Sequence, residues 1–326
     1  MISAEDLRGV VAILPTPAKE GADRADAVNT VNLEETARLA ERLIRDGATA
    51  IMALGTMGEC ATLSQSDYEA FVDCLLSTVR GRIPTFVGST ALGTHEIVRR
   101  MRFLRRHGAT GTLLGIPMWQ PATGDMAVKF YASISETFPD VPIMVYANSR
   151  AFRFAFGVDF WKAIVDKAPT VMSSKFSNRA ILVEAVEATK GRVNFIPPVS
   201  LAYSFAELSP QTTTTCWVPS VGPQPAIALM HAVAARNWSQ AKAVAEDIRW
   251  AVEPHQIITG SQDVFASYNI QMEKLLMEAS GYCEPGPIRP PYDVMPADFA
   301  EAARESGRRF AKLREKYSSV VGSPRL

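Results

Sequence analysis

Cysteine is scarce in this chain of 326 residues. The four present, Cys60, Cys74, Cys216 and Cys283, include no CxxC pair. That excludes a disulfide framework and a dithiol redox motif, and the four are read as free thiols of a reducing cytoplasm. Histidine is equally sparse, and His95, His107, His231 and His255 stand at no metal-site spacing with each other or with the cysteines, so no metal centre is expected. No uncharged apolar run reaches the roughly 18–20 residues of a membrane span. The chain opens with Glu5 and Asp6 rather than a basic-then-apolar stretch, so no signal peptide is expected. An excess of either charge is also missing. Lysine plus arginine (34) balances aspartate plus glutamate (34), which argues against nucleic acid or an anionic membrane as a partner and leaves room for a small anion held by local potential.

What is present is apolar content sufficient for a large core: 47% hydrophobic and 21% charged residues, outside the range of disordered chains. Short apolar runs alternate with longer amphipathic ones. Strands are predicted at Val10 to Leu14, Ala48 to Leu54, Thr85 to Gly88, Thr110 to Leu114, Pro142 to Tyr146, Val171 to Ser174, Val193 to Ile196 and Thr213 to Val218. Helices are predicted between them, at Leu33 to Arg45, Ser64 to Val79, Thr94 to Arg106, Gly124 to Phe138, Asp159 to Lys167, Arg179 to Lys190 and Leu201 to Leu208, with Pro225 to Ala235 after the last strand. The strands are apolar on both faces, as in a parallel sheet covered by helices. The alternation alone also fits an open doubly wound sheet. Eight units within about 235 residues favour closure into a (β/α)8 TIM barrel. Three further helices follow, at Ser239 to Val252, Gln262 to Ala279 and Pro296 to Tyr317. The last two are separated by a proline-rich stretch, Pro285 to Tyr292, that cannot continue a helix. The expected organisation is a barrel over residues 1–236 with a C-terminal helical extension over 237–326 packed on it.

In such barrels the reacting groups sit at the C-terminal ends of strands. There the sequence places Gly55-Thr56-Met57-Gly58-Glu59 after the second strand, Pro117-Met118-Trp119-Gln120 after the fourth, Tyr146 and Asn148 after the fifth, and Lys175 after the sixth. A strand-end lysine ordinarily reaches out to solvent. Held inside a barrel mouth, its amine would lose hydration, its pKa would fall, and its lone pair could attack a ketone. Tyr146 lies one βα unit earlier, on the neighbouring strand end, where a phenol can shuttle protons. The glycine-flanked turn at 55–59 offers converging backbone N–H groups to a small anion such as a carboxylate.

These residues resemble the dihydrodipicolinate synthase / N-acetylneuraminate lyase superfamily. Gly55 to Glu59 with Cys60-Ala61-Thr62-Leu63 is similar to its GTTGE-x-x-x-L signature, and Pro15-Thr16-Pro17, Tyr146 and Lys175 follow in its order and spacing. The similarity is closer to the branch of hydratase-aldolases that cleave trans-benzylidenepyruvates in bacterial breakdown of naphthalene and phenanthrene. It is carried by Gly115-Ile116-Pro117-Met118-Trp119, Tyr146-Ala147-Asn148, Ala151-Phe152-Arg153-Phe154, Tyr268-Asn269-Ile270, Glu273-Lys274 and Pro285 to Tyr292. The resemblance implies that Lys175 forms an imine with a 2-keto acid, that Tyr146 shuttles protons, and that Thr56, Met57 and Gly58 cradle the carboxylate. It further implies that Trp119, Asn148 and Asn269 line the aryl and hydroxyl side of the pocket, and that the chain assembles as a homotetramer. Two positions depart from the wider pattern. Met57 stands for a second threonine. Trp119 stands for a tyrosine of a proton relay, which an indole, a donor only, cannot continue.

The implied reaction needs no cofactor beyond the lysine imine, because the iminium supplies the electron sink a metal would supply elsewhere. Arg150 and Arg153, just past Tyr146, could pair with an ortho-carboxylate on the aryl ring. Two other readings remain beside this one: a class I pyruvate aldolase acting on sugar acids or a semialdehyde, and a barrel that binds a keto acid without turnover.

Overall fold

The computed structural model describes residues 2–217, 220–320 and 322. Eight parallel strands form one sheet: β1 (Gly9–Leu14), β2 (Ala50–Ala53), β3 (Thr85–Gly88), β4 (Gly111–Leu114), β5 (Ile143–Tyr146), β6 (Val171–Lys175), β7 (Asn194–Ile196) and β8 (Thr214–Trp217), in the order 7-6-5-4-3-2-1-8. A parallel bridge between Pro198 and Cys216 joins the two ends of this order. There the Cys216 N–H donates to the Pro197 carbonyl at 2.9 Å, and the Thr215 hydroxyl donates to the same oxygen at 2.9 Å. The sheet is therefore a closed barrel, as the spacing of the eight units predicts. Val218, assigned to the last strand from sequence, lies outside the described residues.

Around the barrel run α1 (Leu33–Arg45), α2 (Gln65–Val79), α3 (Thr94–Arg106), α4 (Gly124–Thr137), the short α5 (Ser149–Phe152), α6 (Val158–Lys167), α7 (Leu182–Ala188), α8 (Val199–Leu208) and α9 (Gln224–Ala234). Then come α10 (Trp238–Val252), the one-turn α11 (Gln256–Thr259), α12 (Gln262–Ser280) and α13 (Ala297–Lys316), with α12 packed along α13 and against α5. Capping residues set several starts. Asn32, Ser64, Thr123, Asn237 and Ser261 each accept a backbone N–H from inside the first turn, satisfying a donor the helix itself leaves open. Two differences from the sequence reading have local causes. The helix expected over Arg179 to Lys190 begins as a 3-10 turn (Arg179–Ile181) before α7. The helix α5, absent from the sequence reading, exists because the Asn148 side chain caps it through Ala151 N–H.

Strands β1 to β5 and β7 are buried at every position, as expected of a sheet covered on both faces. Behind the end of β6, Phe176 is fully buried between Trp161 and Phe195, with ring centroids at 5.8 and 4.9 Å in edge-on geometry. Removing a ring so packed costs about 3–5 kcal/mol. Phe176 thus anchors the strand end that carries Lys175.

Candidate active site

Register brings the two central groups together. β5 and β6 pair so that Tyr146 and Lys175 are direct partners across the strands, and the Lys175 Nζ stands 5.0 Å from the centre of the Tyr146 ring. Tyr146 is buried, its ring edge-on to Phe152 at 5.4 Å. Phe152 in turn lies against Gly115, where a Cβ would come within 2.0 Å of the Phe152 Cζ, so only glycine allows that contact. Two groups converge on the phenol oxygen, one from the end of β2 and one from just past Tyr146 itself. Thr56 Oγ1 lies 3.0 Å from Tyr146 Oη, and Asn148 donates to it through Nδ2 at 3.2 Å. The Asn148 cap on α5 uses Oδ1, which fixes the amide so that Nδ2 faces the phenol. Such an oxygen, with a hydroxyl and an amide on it, is held in place for proton transfer.

Lys175 is only partly buried as a whole, but its amine lies inside the barrel mouth, where burial alone lowers its pKa. The electrostatic influence of Tyr146, Cys216 and Glu273 works the other way, and the net direction is upward from the ordinary lysine value. The expectation of a depressed pKa is thereby corrected: the desolvation is present, but neighbouring acids outweigh it. The resting amine is protonated, and its lone pair has to be released by proton transfer within the site. Cys216, fully buried on β8, faces the same space, and burial pushes its thiol up to about 11. It is neutral at physiological pH.

The turn after β2 is built differently from its sequence reading. Its left-handed residues are Leu54 (φ 57°) and Glu59 (φ 52°), not its glycines. Gly58 is needed for close packing, since a Cβ there would come 2.9 Å from the Leu54 backbone. Glu59 N–H donates to the Thr56 carbonyl at 2.9 Å, and Thr16 Oγ1 donates to the Gly58 carbonyl at 2.8 Å. Among the described residues, the N–H groups of Thr56, Met57 and Gly58 reach no backbone carbonyl, which leaves three consecutive donors for an anion.

Glu59 locks this turn from below. Its carboxylate is 1% exposed and lies between two buried cations, Lys274 Nζ at 3.0 Å and Arg289 Nη1 at 2.5 Å, while Arg289 N–H donates to its other oxygen at 2.8 Å. Arg289 also donates to the carbonyls of Thr16 (3.0 Å) and Thr30 (3.1 Å), and Lys274 to that of Pro287. The proline-rich stretch and α12 are thus fastened to the loop that would hold the substrate carboxylate. Glu59, Lys274 and Arg289 lie in stretches that carry the family resemblance, but sequence reading assigned them no role. Their positions are far apart in the chain, and no local pattern joins them.

The outer residues are placed less uniformly. Trp119 is 81% exposed on the loop after β4 and does not enter the mouth of its own barrel. Arg153, in the left-handed region (φ 49°), donates to the Met118 carbonyl at 2.5 Å and to that of Trp119, and so braces the Trp119 loop. Arg150 donates to Gln262 Oε1 at 3.1 Å and stacks over Phe265 at 4.3 Å. Both guanidinium groups have partners in the protein, and the charge of Arg150 reaches Tyr146, Lys175 and Glu273. Asn269, partly buried on α12, has a buried Oδ1 with no hydrogen-bond partner.

Known proteins match the chain over nearly its whole length. A trans-O-hydroxybenzylidenepyruvate hydratase-aldolase from Pseudomonas aeruginosa is 37% identical, covering 98% of this chain and 97% of its own. A trans-2'-carboxybenzalpyruvate hydratase-aldolase from Nocardioides sp. (strain KP7) is 36% identical, covering 99% and 98%. A solved structure described as PhdJ bound to substrate intermediate superposes with a TM-score of 0.93 at 33% identity, covering 97% of this chain and 99% of that one. The profile of the dihydrodipicolinate synthetase family matches residues 8–190, the span that carries the turn, Tyr146 and Lys175, and the chain belongs to that family.

Proposed function

We propose that this protein is a class I hydratase-aldolase that converts a trans-arylidene pyruvate and water into an aromatic aldehyde and pyruvate. The observation that carries the proposal is the Tyr146–Lys175 pair across β5 and β6, with Thr56 and Asn148 both on the phenol oxygen. The full-length likeness to two hydratase-aldolases supports the substrate class.

In this mechanism the 2-keto acid enters with its carboxylate on the N–H groups of Thr56, Met57 and Gly58. The Lys175 amine, once deprotonated, adds to the ketone, and loss of water gives a protonated imine. The imine is conjugated with the C3=C4 bond and draws electrons from C4, the benzylic carbon, where water adds. Tyr146 then takes the proton from the new C4 hydroxyl. The C3–C4 bond breaks, its electron pair passes into the imine to form an enamine, and the aldehyde leaves. Protonation at C3 and hydrolysis release pyruvate and free Lys175. In this reading Asn148 and Asn269 would stand on the hydroxyl side, and the indole of Trp119, 81% exposed, would offer a flat face to the aryl ring. The reading extends to a homotetramer that acts in the cytoplasm on intermediates of aromatic hydrocarbon breakdown.

The test is borohydride reduction in the presence of pyruvate followed by peptide mass mapping. A pyruvate-derived adduct on Lys175, absent in Lys175→Ala, is expected. Turnover in Lys175→Ala falls by at least a thousandfold, because an activated nucleophile is worth orders of magnitude. Adduct formation on no lysine of the folded protein at millimolar pyruvate would remove the aldolase reading.

A further inference from the structure

Beneath Lys175 one side of the barrel interior is polar. Phe176 and Phe195 pack against Trp161 of α6, on the outside of the sheet. Side chains along a strand alternate between its faces, so Ser173 and Lys175 on β6, with Asn194 and Ile196 on β7, point inward. The register sets Ser173 opposite Asn194 and Lys175 opposite Ile196. Ser173 is fully buried and Asn194 is 7% exposed. Among the described residues, Ser173 Oγ and Asn194 Oδ1 have no hydrogen-bond partner. On its other side Ser173 pairs with Met144 of β5, which offers neither hydroxyl nor amide.

The amide of Asn194 is not free to turn. Its Nδ2 donates to the carbonyls of Ala4 (3.2 Å) and Leu7 (3.0 Å) and to Thr214 Oγ1 (3.0 Å). Thr214 spends its own hydrogen on the Leu7 carbonyl at 2.5 Å, so toward Asn194 it only accepts. The nitrogen is thereby fixed on this group, and Oδ1 is the arm of the amide left over. Neighbouring strands lie about 4.8 Å apart, a separation that one small molecule between facing residues can bridge. Buried polar atoms are nearly always hydrogen-bonded, in many cases to a buried water with two to four polar partners.

We propose that a water molecule is bound in the barrel core beneath Lys175, donating to Asn194 Oδ1 and accepting from the Ser173 hydroxyl, and that it also accepts an N–H of Lys175 and so aims the amine. The second part rests on the reading of Lys175 as the imine-forming nucleophile. Two neutral oxygens are too few for a calcium or magnesium ion, which takes six or more oxygens, and the charge of Lys175 repels a cation. Lys175 stands two residues beyond Ser173 on β6, about 7 Å along the strand. Among the described residues, burial and neighbouring charges act on its amine and no hydrogen bond does. A lysine amine on its flexible four-carbon stem has no direction of its own. One N–H held from below fixes rotation about the Cε–Nζ bond, and the lone pair of the deprotonated amine is then turned to the mouth, where the ketone carbon arrives.

The water itself is tested by a crystal structure at about 1.8 Å or better, which should show it about 2.5–3.0 Å from both Ser173 Oγ and Asn194 Oδ1. No water there, or a Ser173 hydroxyl donating directly to Asn194 Oδ1, overturns the site whatever the protein catalyses. The aiming of the amine is tested by Ser173→Val, which takes the hydroxyl away, fills the water's place, and breaks no hydrogen bond of the Ser173 side chain within the described residues. Valine suits a strand, so the fold should persist. The rate at which pyruvate becomes trappable by borohydride on Lys175 should fall about tenfold, the worth of one hydrogen bond. The pyruvate concentration for half-maximal trapping should stay within about twofold, because the carboxylate turn is untouched. Ser173→Ala, which cannot overpack the core, should slow the same step about threefold. A folded Ser173→Val protein with a wild-type rate, or with rate and half-saturation changed by the same factor, overturns the aiming role. So does a wild-type rate in Ser173→Ala, which decides the matter if the valine variant does not fold. Wild-type protein that traps no pyruvate would instead bring down the underlying function and leave the crystallographic test of the water standing.

Discussion

Replacing Glu59 by glutamine removes one buried anion and leaves two buried cations facing each other. The carboxylate lies at 3.0 Å from Lys274 Nζ and 2.5 Å from Arg289 Nη1, and all three side chains are almost wholly shielded from water. Breaking such a group by deleting one partner costs about 3–5 kcal/mol, because the remaining charges are left uncompensated in a poorly solvated place. A chain of 326 residues unfolds with an entropy of about 0.7 kcal/mol/K, so the melting temperature should fall by about 4–7 °C. Thermal unfolding followed by circular dichroism measures it. Function should fall as well, since Glu59 ends the turn proposed to hold the substrate carboxylate. The pyruvate concentration needed for half-maximal trapping on Lys175 should rise by about tenfold or more. The sharper check is the double variant. If uncompensated charge is the cause, adding Lys274→Met to Glu59→Gln removes one stranded cation and should recover stability. A double variant less stable than Glu59→Gln alone, with losses that simply add, would refute the reasoning, as would a fall below 1 °C in the single variant.

Two other consequences are open to measurement. Tyr146→Phe keeps the ring against Phe152 but deletes the oxygen on which Thr56 and Asn148 converge. Cleavage should fall about 10²–10⁴-fold while the protein melts within about 2 °C of wild type, and retention of a tenth of the activity would rule out the phenol as proton carrier. His255 is buried against Ser306 Oγ at 2.9 Å, and burial lowers its pKa to about 4, below the 6.5 of an unfolded histidine. Between these values the unfolded chain binds the extra proton, so stability is intact above about 6.5 and lost as pH falls toward 4, by up to about 3 kcal/mol. Urea unfolding at pH 7 and pH 4.5 should show a smaller pH effect in His255→Gln than in wild type, and an equal effect in both would discount the histidine.

The parts of this molecule that sequence made legible are those governed by short-range rules. Apolar β-branched runs such as Val10 to Leu14 became fully buried strands, and the spacing of eight such runs was enough to imply closure. Lys175 and Tyr146 could be paired in advance because strand ends one βα unit apart are neighbours in a barrel. What stayed hidden depends on the third dimension. The pKa direction of Lys175 is set partly by Glu273, a residue on a helix beyond the barrel, so desolvation alone pointed the wrong way. Asn148 was assigned to the substrate, and its further work, capping a helix through Oδ1 and donating to Tyr146 through Nδ2, was not visible. Arg153 looked like a partner for a substrate anion because nothing in the chain reveals that the carbonyls of Met118 and Trp119 would stand in its way. Glycine-flanked turns invite an argument from φ, yet here the left-handed residues are Leu54, just before the 55–59 turn, and Glu59 at its end, the latter held by the ion pair beneath.

Glu273 and Lys274 are consecutive residues of α12 with different destinations: one meets the charges around Lys175, the other meets Glu59 under the carboxylate turn. A helix advances by about 100° per residue. Inserting or deleting a single residue in the first turns of α12 would therefore swing both side chains away from their partners at once, taking a carboxylate from beside Lys175 and stranding another under the turn. This helix is indexed like a gear tooth, and its phase is a property that can be preserved only as a whole.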